Sequence, residues 1–123
     1  MSDASRAVPR LLVVEDEYLI RMLLEDMLAD LGYDVAAAVG TIAEASELAA
    51  SGDFNAAILD VNLDGQEIYP VAEILAKRGL PFVFVTGYGE RSLGEPYRDR
   101  PALQKPFQID QLKAALDELL AAT

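Results

Sequence analysis

Asp60 closes the run Ala56-Ala57-Ile58-Leu59-Asp60, and a carboxylate at the end of an apolar, buried-looking segment is costly to desolvate. Three other polar signals stand at equivalent places. Glu15 and Asp16 follow the apolar run 11–14, Thr86 ends the run 81–86, and Lys105 follows 102–104. Acids, a hydroxyl and an amine at four strand ends point to one site, built for a metal ion and a phosphoryl group. Taken singly, each has a plainer role. Glu15 and Asp16 precede a helix, where acids favour the positive end of its dipole. Asp60 stands just before a turn, although Asp64-Gly65 is the better turn former. Thr86 alone would satisfy strand-end backbone, and Lys105 alone would be a surface charge. The weight lies in their shared end of successive parallel strands.

Such a cluster has a definite chemistry. Neighbouring carboxylates repel, and their pKa values split unless a cation neutralises them. The chain has no histidine and no cysteine, so every ligand is an oxygen, which suits Mg²⁺ or Mn²⁺. A carboxylate beside a divalent ion and a lysine can attack phosphorus. The ion and the lysine offset charge on the transferring oxygens, and a threonine hydroxyl can hydrogen-bond one of them. The product would be an aspartyl phosphate.

The elements that must position these groups alternate between two periods. Residues 11–14 are a short branched apolar run, read as a strand buried on both faces. Residues 17–31 then place Ile20, Leu23, Leu24, Met27, Leu28 and Leu31 on one helical stripe, closed by Gly32. A second strand is expected over 33–39. Thr41-Ile42-Ala43-Glu44 has the spacing of a capping box and opens a helix to about Ser51. A third strand is expected over 54–59, a third helix over 67–77, a fourth strand over 81–85 and a short fifth over 102–104. A last helix over 109–121 carries Ile109, Leu112, Leu116 and Leu119 inward. Repeated β-α alternation predicts an α/β fold, a doubly wound five-stranded parallel sheet with helices on both faces. Right-handed crossovers favour the flavodoxin-like order 2-1-3-4-5, with strands one and three beside the switch point where ligands bind. One stretch breaks the rhythm. Residues 87–101 should supply a fourth helix but contain Gly87, Gly89, Gly94, Pro96 and Pro101. Glycine costs about 1 kcal/mol and proline about 3 kcal/mol inside a helix, so a short or irregular helix or a mobile loop is expected.

Composition excludes several classes. The 123 residues are the size of one domain, and 52% are hydrophobic, enough for a sizeable core. No apolar run reaches a membrane span, and residues 1–10 hold no leader-like apolar stretch. The net charge of −11 argues against a direct grip on nucleic acid or on an anionic membrane surface. The lack of cysteine fits a cytoplasmic location.

In order and spacing, four strings resemble the receiver domain of two-component response regulators over about residues 9–122. They are Leu12-Val13-Val14-Glu15-Asp16-Glu17, Leu59-Asp60-Val61-Asn62-Leu63, Val83-Phe84-Val85-Thr86-Gly87 and Leu103-Gln104-Lys105-Pro106-Phe107. The resemblance implies a CheY-like, stand-alone receiver; since it covers nearly the whole chain, a disordered tail over 1–8, a receiver over 9–123 and no output domain are expected. It implies that Asp60 accepts a phosphoryl group from a histidine kinase or a histidine phosphotransfer protein. Asp16 and Asp60 would bind Mg²⁺, Glu15 would act through water, and the Asn62 carbonyl would add a ligand. Thr86 and Lys105 would engage the phosphoryl group, with the Asn62 and Gly87 amides donating to its oxygens. The peptide before Pro106 would be cis. Many receivers dimerise, so a monomer or a weak homodimer is expected.

Departures from the family pattern concern the switch. Receivers usually carry an aromatic residue at the position of Ala102, coupled to the threonine. The run 81–89 resembles a subgroup nicknamed FAT GUY, with Val85 in place of its alanine, and Tyr88 is a candidate to take over part of the switching. The usual proline in the loop after the phosphoacceptor is replaced by Asp64. Two roles fit this reading equally, signalling by contact with a downstream protein and draining phosphate from a kinase. Turnover is not expected beyond self-phosphorylation from small donors and autodephosphorylation. Two other readings stand beside it. One is a small Mg²⁺-dependent phosphohydrolase with an Asp nucleophile, disfavoured because Asn62 stands where haloacid dehalogenase-type enzymes place a second Asp. The other is a receiver-like interaction module that is never phosphorylated.

Overall fold

The computed structural model describes residues 8–63, 65–87, 97, 100 and 102–121. Strand β1 (Arg10–Val14), helix α1 (Tyr18–Asp30), β2 (Asp34–Val39), α2 (Ile42–Ser51) and β3 (Ala56–Asp60) follow one another in β-α alternation. A small hairpin, β4 (Asn62–Leu63) and β5 (Gln66–Glu67), leads to α3 (Tyr69–Arg78). Then come β6 (Phe82–Thr86), β7 (Ala102–Gln104) and α4 (Ile109–Ala121). The main sheet has the order β2-β1-β3-β6-β7, with every pair parallel. Counting only its five strands, this is the expected 2-1-3-4-5 order.

The sheet is buried on both faces because its strands alternate between two apolar clusters. Leu12, Val14, Ala57, Leu59, Phe82 and Phe84 pack with Ala45 and Ala49 of α2 and with Val71, Ala72 and Leu75 of α3. Leu11, Val13, Ala56, Ile58, Val83 and Val85 pack with Leu24 and Leu28 of α1 and with Leu112 and Leu116 of α4. A continuous run such as Leu11-Leu12-Val13-Val14 therefore feeds both layers, one residue to each in turn. Tyr97 joins the first layer. Its ring is buried, stacks on Tyr69 at 5.3 Å between centroids, and meets Phe84 edge-on at 5.4 Å. No helix among the described residues is long and apolar enough to cross a membrane.

Local signals place most element ends. Thr41 caps α2 by accepting from the Glu44 amide at 3.1 Å. The Glu44 side chain meets the Thr41 hydroxyl at 3.2 Å rather than reaching back to its amide. After α1, Gly32 takes φ 91°, and the Gly32 and Tyr33 amides return to the Ala29 and Leu28 carbonyls. That left-handed residue reverses the chain into β2 without the steric cost a Cβ would bring.

Four expectations need correcting. The third helix begins at Tyr69, not at 67, because Gln66 and Glu67 pair with Leu63 and Asn62 in the hairpin. Phe54 is buried but lies before β3, and β3 instead runs on through Asp60. Leu23 is 49% exposed and does not belong to the inner stripe of α1. The second strand starts at Asp34, one residue later than expected. The expected fourth helix and most of the expected N-terminal tail lie outside the described residues.

Leu23 and Leu28, which the periodicity places on one stripe, should separate in stability. Leu28→Ala should cost about 3 kcal/mol, whereas Leu23→Ala should change stability by no more than about 0.5 kcal/mol. Urea unfolding of the two variants checks this, and equal losses would contradict the packing described.

Candidate functional site

Every candidate group arrives at the carboxyl ends of the strands for a structural reason. Strand β1 ends at Val14, so Glu15 and Asp16 lie in the turn before α1. The Glu15 amide still donates to the Val39 carbonyl of β2 at 3.0 Å, which holds this turn against the sheet. Asp60 is the last residue of β3, and Thr86 is the last of β6. Lys105 follows β7, and its amide donates to the Thr86 carbonyl at 2.8 Å. The Lys105–Pro106 peptide is cis. Parallel pairing in register thus carries four sequence-distant segments to one place.

Lys105 is the centre of the arrangement. Its ammonium lies 3.2 Å from Asp60 Oδ2, 3.1 Å from Glu15 Oε1 and 3.7 Å from Glu17 Oε1. Asp60 Oδ1 accepts from the Asn62 amide at 3.1 Å. Glu15 Oε2 accepts from the Glu17 amide at 3.0 Å. Carboxylate oxygens of Glu15, Asp16 and Asp60 all lie within 4.8 Å of one another. Asp16, Glu17, Asp60, Asn62, Gly65, Gly87 and Lys105 line an open cleft of about 290 Å³. Thr86 is buried, and its hydroxyl donates to the Leu103 carbonyl across a long 3.5 Å. Asn62 forms the turn that follows Asp60, since its Oδ1 accepts from the Gly65 amide at 2.8 Å.

The electrostatics are unbalanced. Four carboxylates, Glu15, Asp16, Glu17 and Asp60, surround one ammonium, an excess that a divalent cation would largely offset. Glu15 is fully buried, and its Oε1 touches the ammonium as an ion pair but lacks an aligned hydrogen-bond donor. Burial pushes the Glu15 carboxyl up to about 7; the Glu17 amide opposes this, the neighbouring Asp60 charge adds to it, and Lys105 opposes it again. Burial works against the Lys105 ammonium, but the Asp60 charge and the Glu15 contact outweigh it and raise its pKa. An all-oxygen donor set with one under-bonded buried oxygen fits a hard divalent cation.

Glu15, Asp16, Asp60, Thr86 and Lys105 therefore stand together, as their places at strand ends suggest, with Asn62, Gly87 and Pro106, which only the resemblance implies, beside them. Ala102 lies apart. It sits exposed on β7, paired in register with Phe84, and offers only a methyl group where a switching ring would be needed. Tyr88 lies outside the described residues, as does Asp64. Sequence reasoning misses Glu17 as a third carboxylate at the ammonium. Its only sequence signal is its place one residue past the acidic pair, where helix capping explains it equally well.

Comparison with known proteins assigns a family to this geometry. Residues 11–117 match the family model described as the response regulator receiver domain. The chain is 40% identical over 121 residues to the transcriptional regulatory protein PdtaR of Mycobacterium tuberculosis, covering 94% of this chain and 59% of that protein. It is 35% identical over 123 residues to the phyllosphere-induced regulator PhyR of Methylorubrum extorquens, covering 95% of this chain and 45% of that one. The chain thus spans about half the length of these curated relatives. Among solved structures, SdrG from Sphingomonas melonis superposes with a TM-score of 0.82 at 48% identity, covering 92% of this chain and 97% of that one.

The raised Glu15 carboxyl has a sign that can be tested without metal. Its folded pKa of about 7 lies above the ordinary 4.5, so between these values the folded protein holds a proton that the unfolded chain has lost. Stability should therefore fall as pH rises from about 4.5 to about 7, by on the order of 1–3 kcal/mol, and then level off. Urea midpoints in EDTA between pH 5 and pH 8 check this. Glu15→Gln should flatten that slope; an unchanged slope in the variant would assign it to other groups.

Proposed function

This chain belongs to the response regulator receiver domains of two-component signalling, and we propose that Asp60 is its phosphoacceptor, loaded from a phosphohistidine on a histidine kinase or phosphotransfer protein. One observation carries the reading. A buried aspartate at a strand end shares a lysine ammonium with a second buried acid, beside a third acid, in an open cleft.

The transfer would be in line. A carboxylate oxygen of Asp60 forms a bond to phosphorus while the bond from phosphorus to the donor imidazole nitrogen breaks. The electron pair leaves with the ring, which takes up a proton. Glu15, Asp16 and Asp60 would hold Mg²⁺ or Mn²⁺ with their carboxylates, Glu15 through water, and the Asn62 carbonyl would add a further oxygen. Bound there, the ion supplies charge stabilisation for the transferring oxygens. Lys105, already within hydrogen-bond reach of Asp60, would follow its oxygens as they become part of an acyl phosphate. The Asn62 and Gly87 amides lie at the cleft and would donate to the phosphoryl oxygens. Thr86 would exchange its long contact with the Leu103 carbonyl for a phosphoryl oxygen, a better acceptor.

We read the chain as an acceptor rather than a turnover enzyme, because Asn62 stands where a haloacid dehalogenase-type enzyme would place a second Asp. Its output would be contact with a downstream protein or removal of phosphate from a kinase. Because Ala102 is a methyl group, the signal would leave through Thr86 and the segment after it, not through a ring on β7.

Incubation with phosphoramidate and Mg²⁺ should add one phosphoryl group by intact mass. EDTA should abolish the addition, and Asp60→Asn should lack it. Labelling of Asp60→Asn at the wild-type rate would sink the assignment. In a second measurement, beryllofluoride with Mg²⁺ should shift the backbone NMR signals of Thr86 and of residues 87–101. Thr86→Ala should still bind beryllofluoride but lose most of that response. A full response in Thr86→Ala would remove Thr86 from the switch.

A further inference from the structure

Arg21 occupies a position that the phosphoacceptor chemistry does not use. It lies one turn into α1, and its Nη1 donates to the Glu15 carbonyl at 2.7 Å. Its guanidinium also lies over the Tyr18 ring, 5.7 Å from the centroid, on the same helix. The Glu15 carbonyl is half of the Glu15–Asp16 peptide. That unit is planar, so fixing its oxygen fixes the rotation of the plane and the direction in which Asp16 starts. Residues 15–17 are held at three points: Glu15 N on the Val39 carbonyl, Glu15 O on Arg21, and Glu17 N on the Glu15 side chain. The bond to Arg21 is the charge-assisted one among those to main-chain oxygens of this turn. Glu15 is fully buried, so without Arg21 its carbonyl would be a buried acceptor in need of a new donor.

Gly40, just past the end of β2, lies against the same guanidinium. A methyl group there would come within 2.5 Å of Arg21 Nη1, while its other nearest contacts, at 3.4 Å and 3.5 Å to Glu15 O and Asp16 Cα, are ordinary. Gly40 does not have a positive φ. The backbone there does not demand glycine; a methyl group would instead push the far end of the Arg21 side chain off the Glu15 carbonyl.

We infer that Arg21 is a positioning residue for the divalent-cation site, holding the Glu15–Asp16 peptide in the orientation that cation binding needs, and that Gly40 leaves room for it. This rests on the Mg²⁺ reading given above. The role is a second layer around the ligands, and loss of such a partner typically weakens metal binding about 10- to 100-fold.

Mg²⁺ titration of the whole chain, followed by calorimetry and by the amide signals of Glu17 and Asn62, tests it. Arg21→Gln should weaken Mg²⁺ binding by about tenfold. Arg21→Lys, which keeps a charged donor, should recover to within about threefold of wild type. Gly40→Ala should push the far end of Arg21 off the Glu15 carbonyl, so it should lower metal-free stability no more than Arg21→Gln does and should also weaken Mg²⁺ binding. The double variant Arg21→Gln, Gly40→Ala should bind no more weakly than Arg21→Gln alone, since both act through one contact. If Arg21→Gln does not fold, Gly40→Ala and Arg21→Lys carry the comparison. A wild type that binds no Mg²⁺ removes the metal reading and this inference together. A wild type that binds Mg²⁺ while Gly40→Ala and Arg21→Gln bind equally well overturns the inference alone, as do losses that multiply in the double variant.

Discussion

The ammonium of Lys105 against the buried carboxylates of Glu15 and Asp60 is the interaction on which the site depends. Burying two acids side by side is unfavourable twice over, through lost hydration and through mutual repulsion. One lysine within 3.2 Å of both offsets part of that, and the raised Glu15 carboxyl shows that the offset is incomplete. The site is left short of positive charge. That shortage, not any single residue, makes it receptive to a divalent cation. Addition of a phosphoryl group, as proposed for Asp60, would bring more negative charge to the same place.

The sheet makes this arrangement affordable. Its strands are parallel, so all their carboxyl ends face one way, and the order β2-β1-β3-β6-β7 sets β1, β3 and β6 side by side. The apolar residues below the site alternate into two layers, each closed by two helices. Such a core is stiff, and stiffness lets a few ångströms separate acid from amine without collapse or solvation. The hairpin after Asp60 adds a second restraint. Asn62 turns the chain with its side chain and offers its amide to Asp60, so one residue both follows the strand end and orients the Asp60 carboxylate.

Legibility followed the range of the interaction. Strands buried on both faces announce themselves as continuous branched runs, and the cap at Thr41 is a local bond between neighbours. The site residues were legible as well, because each stands at a strand end and parallel pairing brings strand ends together. The errors came where a long-range partner overrode a local pattern. Glu67 fits a helix start, but pairing with Asn62 takes it into the hairpin. Leu23 fits the helical stripe, but beside Ile20, Pro106 and Phe107 it borders an open apolar cleft rather than filled core. Tyr97 stands in a stretch rich in glycine and proline, and nothing local says that its ring stacks on Tyr69 beneath the sheet edge.

The sequence by itself determined the alternation of elements, the all-oxygen donor set and the four positions that carry chemistry, because periodicity and residue type are properties of the chain alone. Tertiary structure decided which charges meet. That Lys105 reaches Glu15, Glu17 and Asp60 at once, that Glu15 is sealed from water, and that Arg21 lies across Gly40 onto the Glu15 carbonyl depend on strand order and register. Coulomb energies and desolvation vary over a few ångströms. Distances of that size between residues far apart in sequence exist only once the sheet has formed.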